Sequence, residues 1–131
     1  MQISERIKAA GVVGAGGAGF PAHVKAGASV EFVIANGAEC EPLVHKDFEL
    51  MLHYPQRVVE GVKLLMQATG AREGIIGVKE KNKSAIEALT GAIDDHRIRL
   101  HTLGDFYPSG DEYILVYEAT GRLIPTPGST A

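Results

Sequence analysis

The chain has 131 residues, a formal net charge of −3, and 45% hydrophobic and 22% charged residues. This length and composition are typical of one globular domain, and the mild negative charge argues against a nucleic-acid partner. No apolar run approaches the ~20 residues that a membrane helix needs, and the N-terminus lacks a basic region followed by an apolar block. We therefore expect no membrane insertion and no secretory signal, with the cytoplasm as the default location.

The first third of the chain predicts short elements around a glycine-rich stretch. In chain order these are a helix capped by Ser4 that runs to about Ala10 and stops at Gly11, a glycine segment (defined here as residues 13–21), a helical turn from Pro21 that carries Lys25, and a buried strand over residues 30–35. So many glycines disfavour a helix or a central strand, whereas proline favours the first position of a helix. Asn36-Gly37 is a turn signal that ends the strand.

The rest of the chain alternates helices and strands. The clearest helix covers residues 56–69, where apolar residues recur at helical spacing and Gly70 is the stop. The other predictions are helices over 47–53 and 84–93 and strands over 74–78 and 97–102. Residues 112–119 stay open, because their composition favours a strand whereas Gly121 as a stop favours a helix. The alternation predicts an α/β fold with a mainly parallel sheet, truncated because no final packed element follows.

The glycine segment contains a match to the G-x-G-x-x-G pattern at residues 14–19. Glycines allow backbone amides to face a phosphate, and the N-terminus of a following helix adds positive potential. A dinucleotide-binding fold needs a full strand directly before the glycines, and only Val12 and Val13 precede them here. The pattern alone leaves a phosphate-binding loop and a tight structural turn as alternatives.

Two more polar segments stand where predicted strands end. The NGAECEP segment is residues 36–42, and the tyrosine segment is residues 107–112, with the sequence YPSGDE. Ligands of open α/β sheets bind at the carboxyl ends of the strands, so the amide and the acidic side chains can contact a polar ring or a ribose. The alternative is solvated loop charge for Glu39 and Glu41, and favourable charge at a helix N-terminus for Asp111 and Glu112.

The cysteine and histidine content argues against disulfides, metal sites and a nucleophilic side chain. Cys40 is the only cysteine, so these residues form no internal disulfide and no four-cysteine metal or cluster site. The histidines lack metal-ligand spacing, and Asp94-Asp95-His96 is interpreted as surface. Cys40 has no adjacent base that would make it a nucleophile. We therefore predict no metal site and no catalytic side chain.

The three segments together resemble one family. Residues 13–21 (VGAGGAGFP) with Lys25 resemble the glycine-rich flavin loop of the FMN- and NADH-binding subunit of respiratory complex I. The NGAECEP and tyrosine segments resemble the second and third loops of that family, in the same order and with similar spacing over nearly the whole chain. The stretches AGFPAHVK and NGAECEP are most similar to the RnfC-type component of the Rnf ferredoxin:NAD complex and to the cobalamin reductase of propanediol utilisation.

The resemblance implies a three-layer, Rossmann-like FMN-binding α/β domain over residues 1–131. It implies flavin contacts from Gly14, Gly16, Gly17, Gly19, Lys25, Asn36, Tyr107, Gly110 and Asp111. It implies contacts to NADH, the substrate, from Phe20, Glu39, Glu41 and Glu112. Two positions depart from the complex I pattern: Ala15 replaces the usual arginine, and Ala38 replaces an aspartate that contacts flavin.

The family continues beyond the segments matched here. The resemblance implies a further asparagine-rich segment that helps to hold the flavin phosphate, a ubiquitin-like domain, and cysteine-ligated 4Fe-4S clusters. Electrons would pass from NADH through FMN to clusters outside this chain and to other subunits, and the chain alone would be inactive and prone to self-association. Two alternatives remain: a non-catalytic docking module of the same fold, and a flavin-free Rossmann dinucleotide-binding domain.

Overall fold

The computed structural model describes residues 2–13, 21–37, 46–104 and 119–121. In chain order its elements are α1 Ile3–Ala9, α2 Ala22–Ala26, β1 Phe32–Asn36, α3 Lys46–His53, α4 Pro55–Thr69, β2 Glu73–Lys79, α5 Lys83–Ala92 and β3 Ile98–Leu103. Every one of them corresponds to a predicted element, with ends that differ by one or two residues. No helix in the described part of the chain is long and apolar enough to cross a membrane.

The sheet of the described residues has three parallel strands in the order β1-β2-β3. Helices α3 and α4 connect β1 to β2, and α5 connects β2 to β3, as parallel strands require. Both faces of the central strand are buried, because neither Ile75 on one face nor Val78 on the other is exposed. The α/β prediction with a parallel sheet is confirmed, and burial of both faces is what a three-layer domain requires.

One face of the sheet packs against α4 and α5. Alternate residues of β2, namely Gly74, Ile76 and Val78, turn toward a core formed with the apolar stripe of α4 and the buried residues of α5. A Cβ atom on Gly74 would lie 2.7 Å from Cγ1 of Val62. The glycine therefore lets α4 approach the sheet closely. The opposite face of β2 carries Ile75, Gly77 and Lys79.

The first helix begins differently from its prediction. Ser4 lies inside α1, and Gln2 is the N-cap residue, whose backbone N–H donates to Glu5 Oε2 at 3.1 Å. A glutamate three residues into a helix can satisfy the N-cap amide in this way, so no serine cap is needed. The predicted stop is correct: Gly11 has φ +70°, and its N–H donates to the Lys8 carbonyl at 3.0 Å.

The segment that the sequence left open lies largely outside the described residues. Its described end has helical backbone at Ala119 and Thr120, followed by Gly121 at φ +74°. A glycine in the left-handed conformation is a common helix stop. At these residues the structure supports the helical alternative.

Candidate functional site

Two of the three predicted ligand segments follow from the same edge of the sheet. Because β1, β2 and β3 are parallel, Asn36 at the end of β1 and Leu103 at the end of β3 lie at one carboxyl edge, on either side of β2. Asn36 pairs with Gly77, and the N–H of Gly37 donates to the Gly77 carbonyl at 2.8 Å. The chain therefore enters the NGAECEP segment and leaves toward the tyrosine segment at two points of this edge that β2 separates.

Gly37 fixes the start of the NGAECEP segment by close packing. A Cβ atom there would lie 2.7 Å from Sδ of Met51 in α3 and 2.8 Å from the Gly77 carbonyl oxygen. Real Cβ atoms do not approach backbone that closely, so a side chain at this position must displace β1 or α3. The glycine lets the end of β1 stay hydrogen-bonded to β2 while α3 packs over it.

Gly37→Ala is expected to destabilise the chain by about 1–3 kcal/mol, the usual range for overpacking in a close-packed interior. The free energy of unfolding from urea titrations measures the effect. Gly61→Ala is the control, because Gly61 lies within α4 with open space at the Cβ position. Alanine there is expected to add up to about 1 kcal/mol of stability. Equal stabilities of the Gly37→Ala variant and the parent would contradict this account of the packing.

The ends of the glycine segment are brought together by backbone contacts. Val13 and Pro21 form an isolated antiparallel bridge, and the N–H of Ala22 donates to the Val12 carbonyl at 3.1 Å. Helix α1 precedes this segment, and none of the three strands in the described sheet leads into it. A Rossmann dinucleotide site requires such a strand, so the arrangement of the described residues departs from that fold.

Lys25 lies on the helix that the sequence predicted for it. It occupies the last turn of α2, is exposed, and is followed by the buried Ala26 that anchors the helix. Helix α2 packs against α1 and α4. The lysine is therefore held on an anchored helix that directly follows the glycine segment.

The structure adds a residue that the sequence analysis missed, Lys79. It is the last residue of β2 and is only 9% exposed. On the same face, the preceding row contains Asn36 and His101 on either side of Gly77. Two-residue periodicity from the buried Ile75 is the signal that could have identified it. Lys79 therefore lies at the carboxyl edge, on the strand between the ends of β1 and β3 that lead toward the two segments.

Arg99 anchors the chain after the tyrosine segment. Its Nη2 donates to the carbonyl oxygen of Ala119, and its Nε lies 3.3 Å from Oε1 of Glu73. Ala119 is buried. Since Arg99 is near the start of β3 and Leu103 ends it, both ends of the connection that contains the tyrosine segment are attached to β3.

The acidic cluster near β3 has a structural explanation. Asp94 pairs with Lys63, and Asp95 accepts the backbone N–H of Arg97 at 2.9 Å and its Nη2 at 2.8 Å. These hydrogen bonds from Arg97 hold the pKa of Asp95 well below its usual range. Within the described ranges, no group of three His, Cys, Asp or Glu residues is placed to hold a metal ion.

Most predicted contacts lie outside the described residues. Lys25 and Asn36 are described, on α2 and at the end of β1. The others, together with Cys40, are not described: Gly14, Gly16, Gly17, Gly19, Phe20, Glu39, Glu41, Tyr107, Gly110, Asp111 and Glu112. Their roles stay predictions.

Comparison with known families identifies the domain. The family model described as the Nuo51 FMN-binding domain matches residues 7–131. The chain belongs to this FMN-binding family. The resemblance seen in the three segments is confirmed, and the cofactor of the family is FMN.

Two curated relatives of this chain are named for a reductase and for an oxidoreductase complex. The chain is 56% identical over 123 residues to the cobalamin reductase PduS of Salmonella typhimurium, covering 94% of this chain and 27% of that protein. It is 43% identical over 129 residues to a component of the Na+-translocating ferredoxin:NAD+ oxidoreductase complex of Acetobacterium woodii, covering 95% and 29%. The chain thus spans little more than a quarter of the curated relatives it matches.

A solved structure shares the fold. The NAD+-reducing NiFe hydrogenase in its air-oxidized state superposes with a TM-score of 0.65 at 28% identity, over 92% of this chain and 23% of that one. The named relatives and this neighbour are oxidoreductases or parts of them.

Proposed function

We propose that this chain is the FMN- and NADH-binding part of a longer electron-transfer protein, named here the full-length protein. In that protein, electrons pass from NADH through FMN to iron–sulfur clusters outside these 131 residues. The observation that carries the proposal is the common carboxyl edge of β1 and β3, from which the chain leads toward two acidic, polar segments, with the buried Lys79 at the end of the strand between them. Ligands of α/β sheets bind at such edges.

The described residues at this edge offer groups that suit FMN. Asn36 offers an amide that suits the polar edge of a flavin ring, and the ammonium group of Lys79 adds positive charge to a site for an anionic cofactor. Gly77 presents only backbone between Asn36 and His101 on the Lys79 face of the sheet. When bound, FMN supplies the redox chemistry that accepts hydride and passes electrons on singly, while the protein supplies position and electrostatics.

We propose that the flavin is also contacted by the glycine segment and Lys25. Backbone amides of Gly14, Gly16, Gly17 and Gly19 face the cofactor, since glycines allow close approach of the chain. Lys25, fixed on α2 after the segment, supplies a positive charge. Tyr107, Gly110 and Asp111 complete the flavin contacts.

NADH is proposed to be oriented by Phe20, Glu39, Glu41 and Glu112. The two glutamate-bearing segments are distant in sequence, and the shared carboxyl edge of β1 and β3 supports their meeting in one cleft. Their carboxylates accept hydrogen bonds from the nucleotide and transfer no proton. No side chain of this chain is assigned a catalytic proton transfer.

Glu41→Gln in the full-length protein tests this assignment. The variant is expected to raise the KM for NADH roughly tenfold, the loss of one hydrogen bond to a charged group, while FMN content stays parental. Steady-state kinetics with a dye acceptor measure the KM for NADH, and FMN release on denaturation measures the FMN content. Glu87→Gln, at an exposed position of α5, is the control. A parental KM in the Glu41→Gln variant would remove Glu41 from the NADH site.

The flavin-free Rossmann alternative is disfavoured by the path of the chain. Helix α1 and an isolated bridge at Val13 precede the glycines, where a Rossmann site needs a strand. The docking-module alternative is tested by the flavin content. Under the proposed function, the full-length protein should purify yellow and release FMN on denaturation. A colourless full-length protein that takes up no added FMN would favour the docking module.

Partners and location follow from the same proposal. One relative is named as part of a ferredoxin:NAD+ oxidoreductase complex, which supports partner subunits for the full-length protein. We propose that it resides in the cytoplasm, attached to the cytoplasmic face of the membrane through such subunits where they are present.

A further inference from the structure

Lys79 differs in burial from the other cations of the described residues. It is 9% exposed, whereas the remaining lysines and arginines whose side chains are described are exposed or, for Lys63, half-buried. Burying an ammonium group is costly unless anions or hydrogen-bond acceptors surround it. A lysine in this position therefore requires acceptors or anions around its ammonium group.

The position of Lys79 in the sheet relates it to two segments that carry acidic residues. Lys79 extends beyond the last β1–β2 pair, Asn36 with Gly77, and is in register with Leu103 of β3. The NGAECEP segment continues from Gly37 on one side. The connection to the tyrosine segment leaves Leu103 on the other. Lys79 thus stands between the two entry points.

The face of the sheet on which Lys79 lies identifies its polar neighbours. Lys79 shares a face with Ile75 and Gly77, because side chains alternate along a strand. Asn36 and His101 flank Gly77 on this face, where the glycine presents only backbone. Three polar side chains, one from each strand, therefore share one face at the carboxyl edge. Of the three, the lysine lies farthest along the strand direction.

We propose that Lys79 is a positioning residue of the FMN site, whose ammonium neutralises the carboxylates of the NGAECEP and tyrosine segments at the carboxyl edge. These segments carry the acids Glu39, Glu41, Asp111 and Glu112. Carboxylates that share one cleft repel each other, and the phosphate of FMN adds further negative charge. A fixed cation between them holds both segments in the conformation that binds FMN and NADH. This inference rests on the proposed function.

Lys79→Met in the full-length protein removes the charge and keeps an unbranched side chain. We expect the Kd for FMN, measured by quenching of flavin fluorescence, to rise roughly ten- to a hundredfold, as for a lost charged hydrogen bond. At saturating FMN, the KM for NADH rises while kcat changes little. In the Lys79→Arg variant, the Kd for FMN and the KM for NADH are expected to lie close to the parental values. Lys83→Met, at the exposed first residue of α5, keeps the parental values.

The outcomes separate this inference from the proposed function. Parental FMN affinity and KM in a folded Lys79→Met variant overturn the role of Lys79 and leave the proposed function intact. Equal losses in the Met and Arg variants show a packing role and also overturn it. A parent protein that binds no FMN overturns both proposals. If Lys79→Met does not fold, Lys79→Gln, which is polar and uncharged, is judged by the same criteria.

Discussion

Gly16→Val or Gly19→Val in the full-length protein is expected to abolish flavin retention while the protein stays folded. The proposed contacts of the glycine segment are made by backbone, so a branched side chain displaces the cofactor and also excludes conformations with positive φ. The fold is expected to survive because the core lies between the sheet, α4 and α5. The Val13–Pro21 bridge lies outside this core and joins the two described ends of the segment.

Flavin content per protein, measured after denaturation, gives the result, and circular dichroism checks folding. The matched control is Gly91→Val, at an exposed glycine of α5 with open space at the Cβ position. It introduces the same side chain far from the proposed site and should leave flavin content parental. Retention of flavin at the parental ratio by either glycine-segment variant would show that this segment does not bind the cofactor.

The 131-residue chain purified alone is expected to be colourless and to show no NADH-dependent reduction of one-electron dyes. The resemblance implies that an asparagine-rich segment outside these residues completes the phosphate site. Each missing charge-assisted hydrogen bond costs roughly 1.5–3 kcal/mol, and several together lower the affinity by orders of magnitude. Apolar side chains more than half exposed, among them Val13, Val24 and Tyr54, favour self-association of the isolated chain.

An absorption spectrum of the purified chain, with and without added FMN, measures this directly. Size-exclusion chromatography measures its self-association. A stoichiometric flavin band from the chain alone would contradict the account, because it would show that these residues form a complete phosphate site.

The secondary structure was largely predictable because local signals agree with the tertiary structure. In α4 the helical spacing of Val59, Val62 and Met66 gives one buried stripe, and Gly70 adopts φ +73° as a stop. The β2 strand is a short apolar run, as expected for a strand buried on both faces. The helix start was missed because Glu5 satisfies the N-cap amide from inside the first turn, so the residue type at the cap was misleading.

The site was less predictable, because its geometry depends on which strands are neighbours. Motif resemblance pointed to Asn36 and Lys25; the structure shows Lys25 on the expected helix and Asn36 as the last residue of β1, where a turn was expected. Lys79 belongs to no motif, and its position between the two strand ends appears only when β1 and β3 are placed on either side of β2. The contact of Arg99 with Ala119 joins residues twenty positions apart, which no periodicity encodes.

The most direct test of the central claim is anaerobic mixing of NADH with the FMN-loaded full-length protein, followed at the visible flavin band. The account predicts that NADH bleaches the band, and that Glu41→Gln requires more NADH for the same rate. Dithionite is the control that shows the flavin to be reducible. A band that dithionite bleaches and NADH leaves unchanged would contradict the assignment of this domain to NADH oxidation.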